Sequence, residues 1–206
     1  MKKLLTTTLA ICLSFSVLLA QKYHPATLQM KDGSVREALM EFPPSHHKYF
    51  FVKSNEDAKK EKISEAEVEK VEFPDSENGS VYEFARVHSV RMGRVSKNPY
   101  WMLKVEDGPA SLYLVGSSMM TGGANFHKVT DMSYYVMREG EKGATWIGTE
   151  FVSGAIGLGV DKQFRKYSSE YFSDRPDLVE RIQNKEWEIN QALELIKEYN
   201  KLISSK

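Results

Sequence analysis

The chain has 206 residues, enough for one or two ordinary domains. Its 28 lysines and arginines balance 28 aspartates and glutamates, which argues against a dedicated nucleic-acid binder. With 41% hydrophobic and 11% aromatic residues the chain can build a core, so wholesale disorder is excluded.

The first element is residues 1–20, MKKLLTTTLAICLSFSVLLA, which has the layout of a secretory signal peptide. Lys2 and Lys3 supply the positive start, Leu9 to Leu19 the apolar stretch, and Ala20 the small residue before polar Gln21. Cleavage is expected between Ala20 and Gln21. The apolar stretch falls short of the ~20 residues that span a bilayer, so no transmembrane segment is expected in the mature chain. Cys12 leaves with the signal, and Ile11 before it does not suit lipid attachment. The expected mature chain, Gln21 to Lys206, is therefore free of cysteine and has no thiol chemistry or thiolate zinc site. It keeps 26 basic against 28 acidic residues, a net charge of −2. Export places the protein in the periplasm, at the outer membrane or outside the cell.

From Ala26 to Phe151 the punctuation predicts strands. Ala26 to Lys31 alternates, Asp32-Gly33 suits a two-residue hairpin turn, and Ser34 to Phe42 continues extended until Pro43-Pro44. Lys48 to Lys53 is the next strand. Glu56 to Glu72 then carries seven acids and four lysines, a solvated stretch in which Ser64 and Glu67 fit a capping box over one helical turn. Lys70 to Phe73 reads as a short strand. Further strands are predicted at Ser80–His88, Tyr100–Val105, Ser111–Val115, Val129–Met137 and Thr145–Gly148, separated by glycine turns.

Beyond the glycine-diluted FVSGAIGLGV the spacing becomes helical, starting with Lys162 to Phe172. Asp174 is expected to cap the next helix, with Pro176 in its first turn and Asp177 at the positive end of the dipole. Leu178, Ile182, Ile189, Ile196 and Ile203 form one apolar stripe, and Asn184-Lys185 divides the stretch into two helices. The stripe suits a helix packed on its own sheet; a coiled-coil partner is the alternative. The expected fold class is α+β, an antiparallel β-rich body (sandwich or partly open barrel) followed by C-terminal helices. The segments are a signal at 1–20, a β-rich domain at 21–160 and a helical segment at 161–206.

Several stretches together carry a resemblance: ATLQMKDGSVREALM with KKEKISEAEVEKVEF, SLYLVGSSMM with SYYVMREGEKGATWIG, and FRKYSSEYFSDRPDLVERIQNKEW running on to LIKEYN. The chain resembles small signal-bearing envelope proteins of Gram-negative gut and marine bacteria, a family without established activity. The resemblance implies an exported α+β protein and supplies no catalytic residues. The Gly154–Gly159 segment and Met119-Met120 depart from its pattern.

Catalytic constellations are sparse. His46-His47 in PPSHHKY is the adjacent pair among five histidines and the candidate metal site, competing with an exposed proline-bounded loop. Ser117 and Ser118 lack the flanking glycines of a nucleophile elbow. The spacing of Gly154, Gly157 and Gly159 is reversed relative to a dinucleotide fingerprint. No cofactor is implied, and no catalytic residue is assigned.

One asymmetry remains. No acid occurs between Phe84 and Val105, while Arg86, Arg91, Arg94 and Lys97 accumulate there. Such a patch suits anionic glycan or lipid headgroups; the blander reading, which the pattern favours, is arginines facing outward from a half-buried strand, with Gly93 marking a bulge. Met119 and Met120, in the expected loop Gly116–Asn125, form a second candidate surface for a ligand or an envelope protein. The expected function is non-enzymatic binding in the cell envelope. A metal-dependent hydrolase and an assembly protein acting through the helices are the alternatives.

Overall fold

Among the described residues, twelve mostly antiparallel strands precede three C-terminal helices, so the chain is α+β as its pattern predicts. The computed structural model describes residues 23–74, 81–121, 127–153 and 159–205. The signal segment with Ala20 and Gln21, and residues 154–158 of the glycine-rich stretch, lie outside these. The chain divides into two compact units: His47–Val81 with the chain up to Pro43, and Pro44–His46 with Tyr82–Lys206.

The first unit contains β1 (His24–Met30), β2 (Val35–Met40), β3 (Tyr49–Lys53), β4 (Glu61–Ser64) and β5 (Val68–Pro74) in the order β4-β3-β2-β1-β5. Asp32-Gly33 does turn the chain, but over a three-residue loop, 31–33, rather than the expected two, since the Met30 amide donates to the Ser34 carbonyl and only Gly33 has positive φ. Gly33 takes φ +84°, and the Asp32 carboxylate accepts from the Ser34 amide at 2.9 Å. Period-two alternation then sorts the side chains: Ala26, Leu28, Ala38, Met40, Phe50, Val52 and Ile63 are buried. Strand β4 lies inside the charged stretch that had promised only a helical turn. Its one large apolar residue, Ile63, is buried opposite Phe50, and Arg36 pairs with Glu61. Pairing with a neighbour overrides a weak local pattern. Ser64 does cap, its Oγ accepting from the Ala66 amide at 3.3 Å, but it opens a single 3₁₀ turn, Glu65–Glu67.

The second unit contains β6 (Val81–Val87), β7 (Ser89–Arg91), β8 (Arg94–Val95), β9 (Tyr100–Glu106), β10 (Ala110–Thr121), β11 (His127–Arg138) and β12 (Ala144–Ser153). Their order is β6-β9-β10-β11-β12-β7-β8, with β7 parallel to β12. Only His88 separates β6 from β7, yet four strands lie between them in that order. The strand order is that of an open, mostly antiparallel sheet, neither the sandwich nor the barrel that the pattern suggested. At the junction the Ala144 amide donates to the His88 carbonyl at 2.7 Å. Gly143 is required there, because a Cβ would stand 2.4 Å from the His88 oxygen. Strand β10 runs to Thr121, in register with β11 from Gly116↔Met132 to Thr121↔His127. Met119 and Met120 are thus strand residues rather than loop residues, because the ladder extends past the glycine that suggested a loop.

Helices α1 (Val160–Tyr171), α2 (Pro176–Gln183) and α3 (Ala192–Ser204) cover one face of this sheet. Phe164, Leu178, Ile182, Ile189, Leu195, Ile196 and Tyr199 bury themselves against Ala110, Leu112, Val136 and Ile147. The apolar stripe is thereby spent on the chain's own strands. The break falls at Lys185, whose φ of +64° stops the helix. Asn200 secures α3: its amide accepts from the Ala110 N–H at 2.8 Å and donates to the Ala110 carbonyl at 2.9 Å. Asp174 does not cap α2; Arg175 occupies the N-cap position without a side-chain cap, and the Asp174 carboxylate turns toward Arg138 and Tyr199. Among the described residues no helix is long and apolar enough to cross a membrane.

Candidate functional site

The basic stretch resolves into a hairpin. Strands β7 and β8 pair through Val90↔Val95 and Arg91↔Arg94, leaving Met92 and Gly93 as a two-residue turn. Both turn residues have positive φ, +50° and +74°, as a primed type I turn requires. Gly93 therefore marks a turn rather than a bulge. Arg91, Met92, Arg94, Val95 and Lys97 are all exposed, Met92 by 78% and Val95 by 47%.

The hairpin is anchored from below. The Arg91 guanidinium lies 4.2 Å from the centre of the Trp146 ring, which is only 4% exposed. Trp146 packs 4.9 Å from Tyr167 of α1, and its indole N–H donates to the Thr149 hydroxyl at 3.0 Å. The segment carrying Lys97 is tied down through Ser96. Its amide donates to the Ser89 carbonyl at 2.8 Å, and its hydroxyl accepts from the Ser89 amide at 3.0 Å.

Electrostatically the hairpin is unbalanced. Like charges placed directly opposite each other on paired strands repel. Arg91 and Arg94 are so placed, and Lys97 follows closely in the chain. Among the described residues none of the three forms an ion pair with a carboxylate. An anion arriving from outside the chain would relieve that repulsion.

Arg86 does not belong to the same environment. It sits half-buried on β6 opposite Trp101, with its guanidinium carbon 6.0 Å from that ring's centre. Of the four basic candidates, three share the hairpin and its following loop.

The other candidates are dispersed. His46 and His47 are exposed, and the His46 ring lies tilted against Tyr100 with their centres 4.0 Å apart. Among the described residues no group of three or more histidines, cysteines, aspartates or glutamates is arranged to hold a metal ion. Ser117 donates straight to the Asp131 carboxylate across the β10–β11 ladder, with no imidazole between them to act as a base. Glu61 of the acidic stretch is held by Arg36, which draws its carboxyl below the usual range.

Sequence reasoning missed Arg138, at the end of β11. Its guanidinium lies 4.5 Å from Tyr171, 5.8 Å from Phe172 and 5.1 Å from Tyr199, measured to ring centres. One terminal nitrogen donates to the Tyr171 carbonyl at 3.0 Å and to Asp174 at 2.6 Å. Tyr199 donates to the same Asp174 carboxylate at 3.0 Å, and Tyr171 donates to Glu141 at 2.8 Å. Burial, reinforced by the bond to Glu141, pushes the Tyr171 phenol well above its usual range.

A cavity of about 400 Å³ adjoins Arg138, bordered by Asp107, Ser111, Met137, Glu139 and Glu141. Asp107 already receives Lys104 and the Ser111 hydroxyl, and Glu141 receives Tyr171. The cluster joins sheet to helices and leaves little unspent chemistry. Nothing in VMREGEKG distinguished this arginine from its neighbours, since its aromatic partners lie 33 and more residues away. Comparison of the chain with protein-family models, curated proteins and solved structures yields no match.

Proposed function

We propose that the mature chain is an exported, non-enzymatic binding protein that docks on an anionic surface of the cell envelope through the β7–β8 hairpin. The observation carrying this reading is the opposition of Arg91 and Arg94, with Lys97 close by, all exposed and without carboxylate partners among the described residues. A hairpin that sets two arginines opposite each other in register gives up stability, which an anionic partner returns. The signal-like segment at 1–20 supports the envelope setting. The engagement of Ser117 by Asp131 and of Glu61 by Arg36 supports binding over catalysis.

The test is retention of mature protein on an anionic matrix, eluted with rising salt. The variant carrying Arg91→Ser, Arg94→Ser and Lys97→Ser is expected to elute at clearly lower ionic strength than the wild type, because counterion screening acts first on the weaker patch. Arg86→Ser alone is expected to elute as the wild type does. Unchanged elution of the triple variant overturns the proposal.

A further inference from the structure

We infer that the anionic surface is a phospholipid bilayer and that Met92 enters its interface, an inference that rests on the binding reading above. The apex of the hairpin is apolar and its flanks are cationic. Met92 stands 78% exposed at the turn, Arg91 and Arg94 flank it, and Val95 follows at 47%. That sequence of chemistries matches the profile of a bilayer surface, where phosphates lie outermost and the acyl boundary some 5–10 Å deeper. Guanidinium groups bind phosphate oxygens through a planar fork, and the thioether beyond them is flexible enough to fit disordered chains.

The contact chain also continues past the hairpin. Trp146 leads to Tyr167, and the Lys166 ammonium lies 5.3 Å from the centre of the Tyr167 ring. Exposed Lys166 thus stands two ring contacts from Arg91.

A soluble anionic glycan fits the site less well. Sugar rings are held by open aromatic faces or within grooves, whereas Trp146 is 4% exposed and overlain by Arg91. The apex is an exposed two-residue turn, whereas an extended polymer is better confined in a groove. Its backbone is also preset, since both turn residues are already in the left-handed region that the primed turn demands. Little ordering cost remains to be met on docking.

The experiment is cosedimentation of mature protein with vesicles of phosphatidylcholine alone and of phosphatidylcholine mixed with phosphatidylglycerol, alongside binding to dextran sulfate. The discriminating variant is Met92→Asn. Asparagine tolerates the positive φ of the turn and forms an Asn-Gly pair there, so the hairpin is retained while the apolar apex is removed. Wild-type protein is expected to sediment with the anionic vesicles and far less with the neutral ones. Met92→Asn is expected to weaken vesicle binding by about tenfold and to leave dextran sulfate binding unchanged. The triple serine variant is expected to lose about a hundredfold on the anionic vesicles. Unchanged vesicle binding by Met92→Asn overturns the bilayer inference and leaves the binding reading standing, as does binding to dextran sulfate but not to vesicles. Wild-type behaviour of the triple serine variant on both probes overturns the two together.

Discussion

Arg91 and Arg138 both lie over aromatic rings, 4.2 Å from Trp146 in one case and 4.5 Å from Tyr171 in the other, and there the likeness ends. Arg138 is half-buried at the seam between strands and helices. Three rings, a carbonyl and the Asp174 carboxylate share its charge. Arg91 is exposed, faces another arginine across a two-stranded ribbon and has no carboxylate partner among the described residues. A cation surrounded by its own chain's acceptors has its interactions committed to the fold. Under the binding proposed above, the cation opposite a like charge is the one that meets an external anion. Position in the tertiary structure, and not local charge density, separates the two roles.

The largest way to break this contrast is Arg138→Ala. It removes the Asp174 pair, the carbonyl bond and three ring contacts, and leaves Asp174 and Tyr199 without their shared cation. Hydrogen bonds to charged groups and cation–π contacts of this kind imply a loss of about 3 kcal/mol in denaturant unfolding. A loss under about 1 kcal/mol would mean that the cluster does not hold helices to strands. Arg94→Thr should act in the opposite direction. It relieves the repulsion with Arg91 and places a β-branched residue in a strand, so unfolding stability should rise by about 0.5 kcal/mol even as anionic binding falls. A variant that destabilised the protein while binding unchanged would show the arginine pair to be structural.

The smallest effect concerns a half-buried arginine that does have an acid. Arg175 holds Asp177 through a 2.6 Å contact, and that bond draws the Asp177 carboxyl down to about 2. Because the folded value lies below the ordinary 3.8, the stabilisation is present above about pH 4 and is lost as pH falls through about 2. A carboxyl chemical-shift titration should place the midpoint there; an ordinary midpoint would show the pair to be open in solution.

Local chemistry was legible where one or two residues decide the backbone. Asp32-Gly33 announced its hairpin because glycine accepts the positive φ the turn demands. The Leu178, Ile182, Ile189 and Ile196 stripe announced a buried helical face, and Asn184-Lys185 announced its interruption. Asp174 misled because an aspartate two residues ahead of a helix-opening proline looks like a cap, while a more favourable partner, Arg138, waited 36 residues upstream. Strand β4 was hidden because Ile63 offers too little periodicity to reveal a strand without its neighbour.

For the candidate site, the amino-acid sequence determined that basic residues accumulate between Phe84 and Val105 and that no acid interrupts them. It determined the α+β class through periodicities of two and 3.6, which local sterics enforce. Only the tertiary structure decided which cations act together. Strands β6 and β7 part at His88, and Arg86 is carried to Trp101 while Arg91, Arg94 and Lys97 stay with the hairpin. The physical reason is range: a turn is chosen by the torsions of two residues, but the partner of a charge is chosen by whatever the folded chain brings within a few ångströms of it.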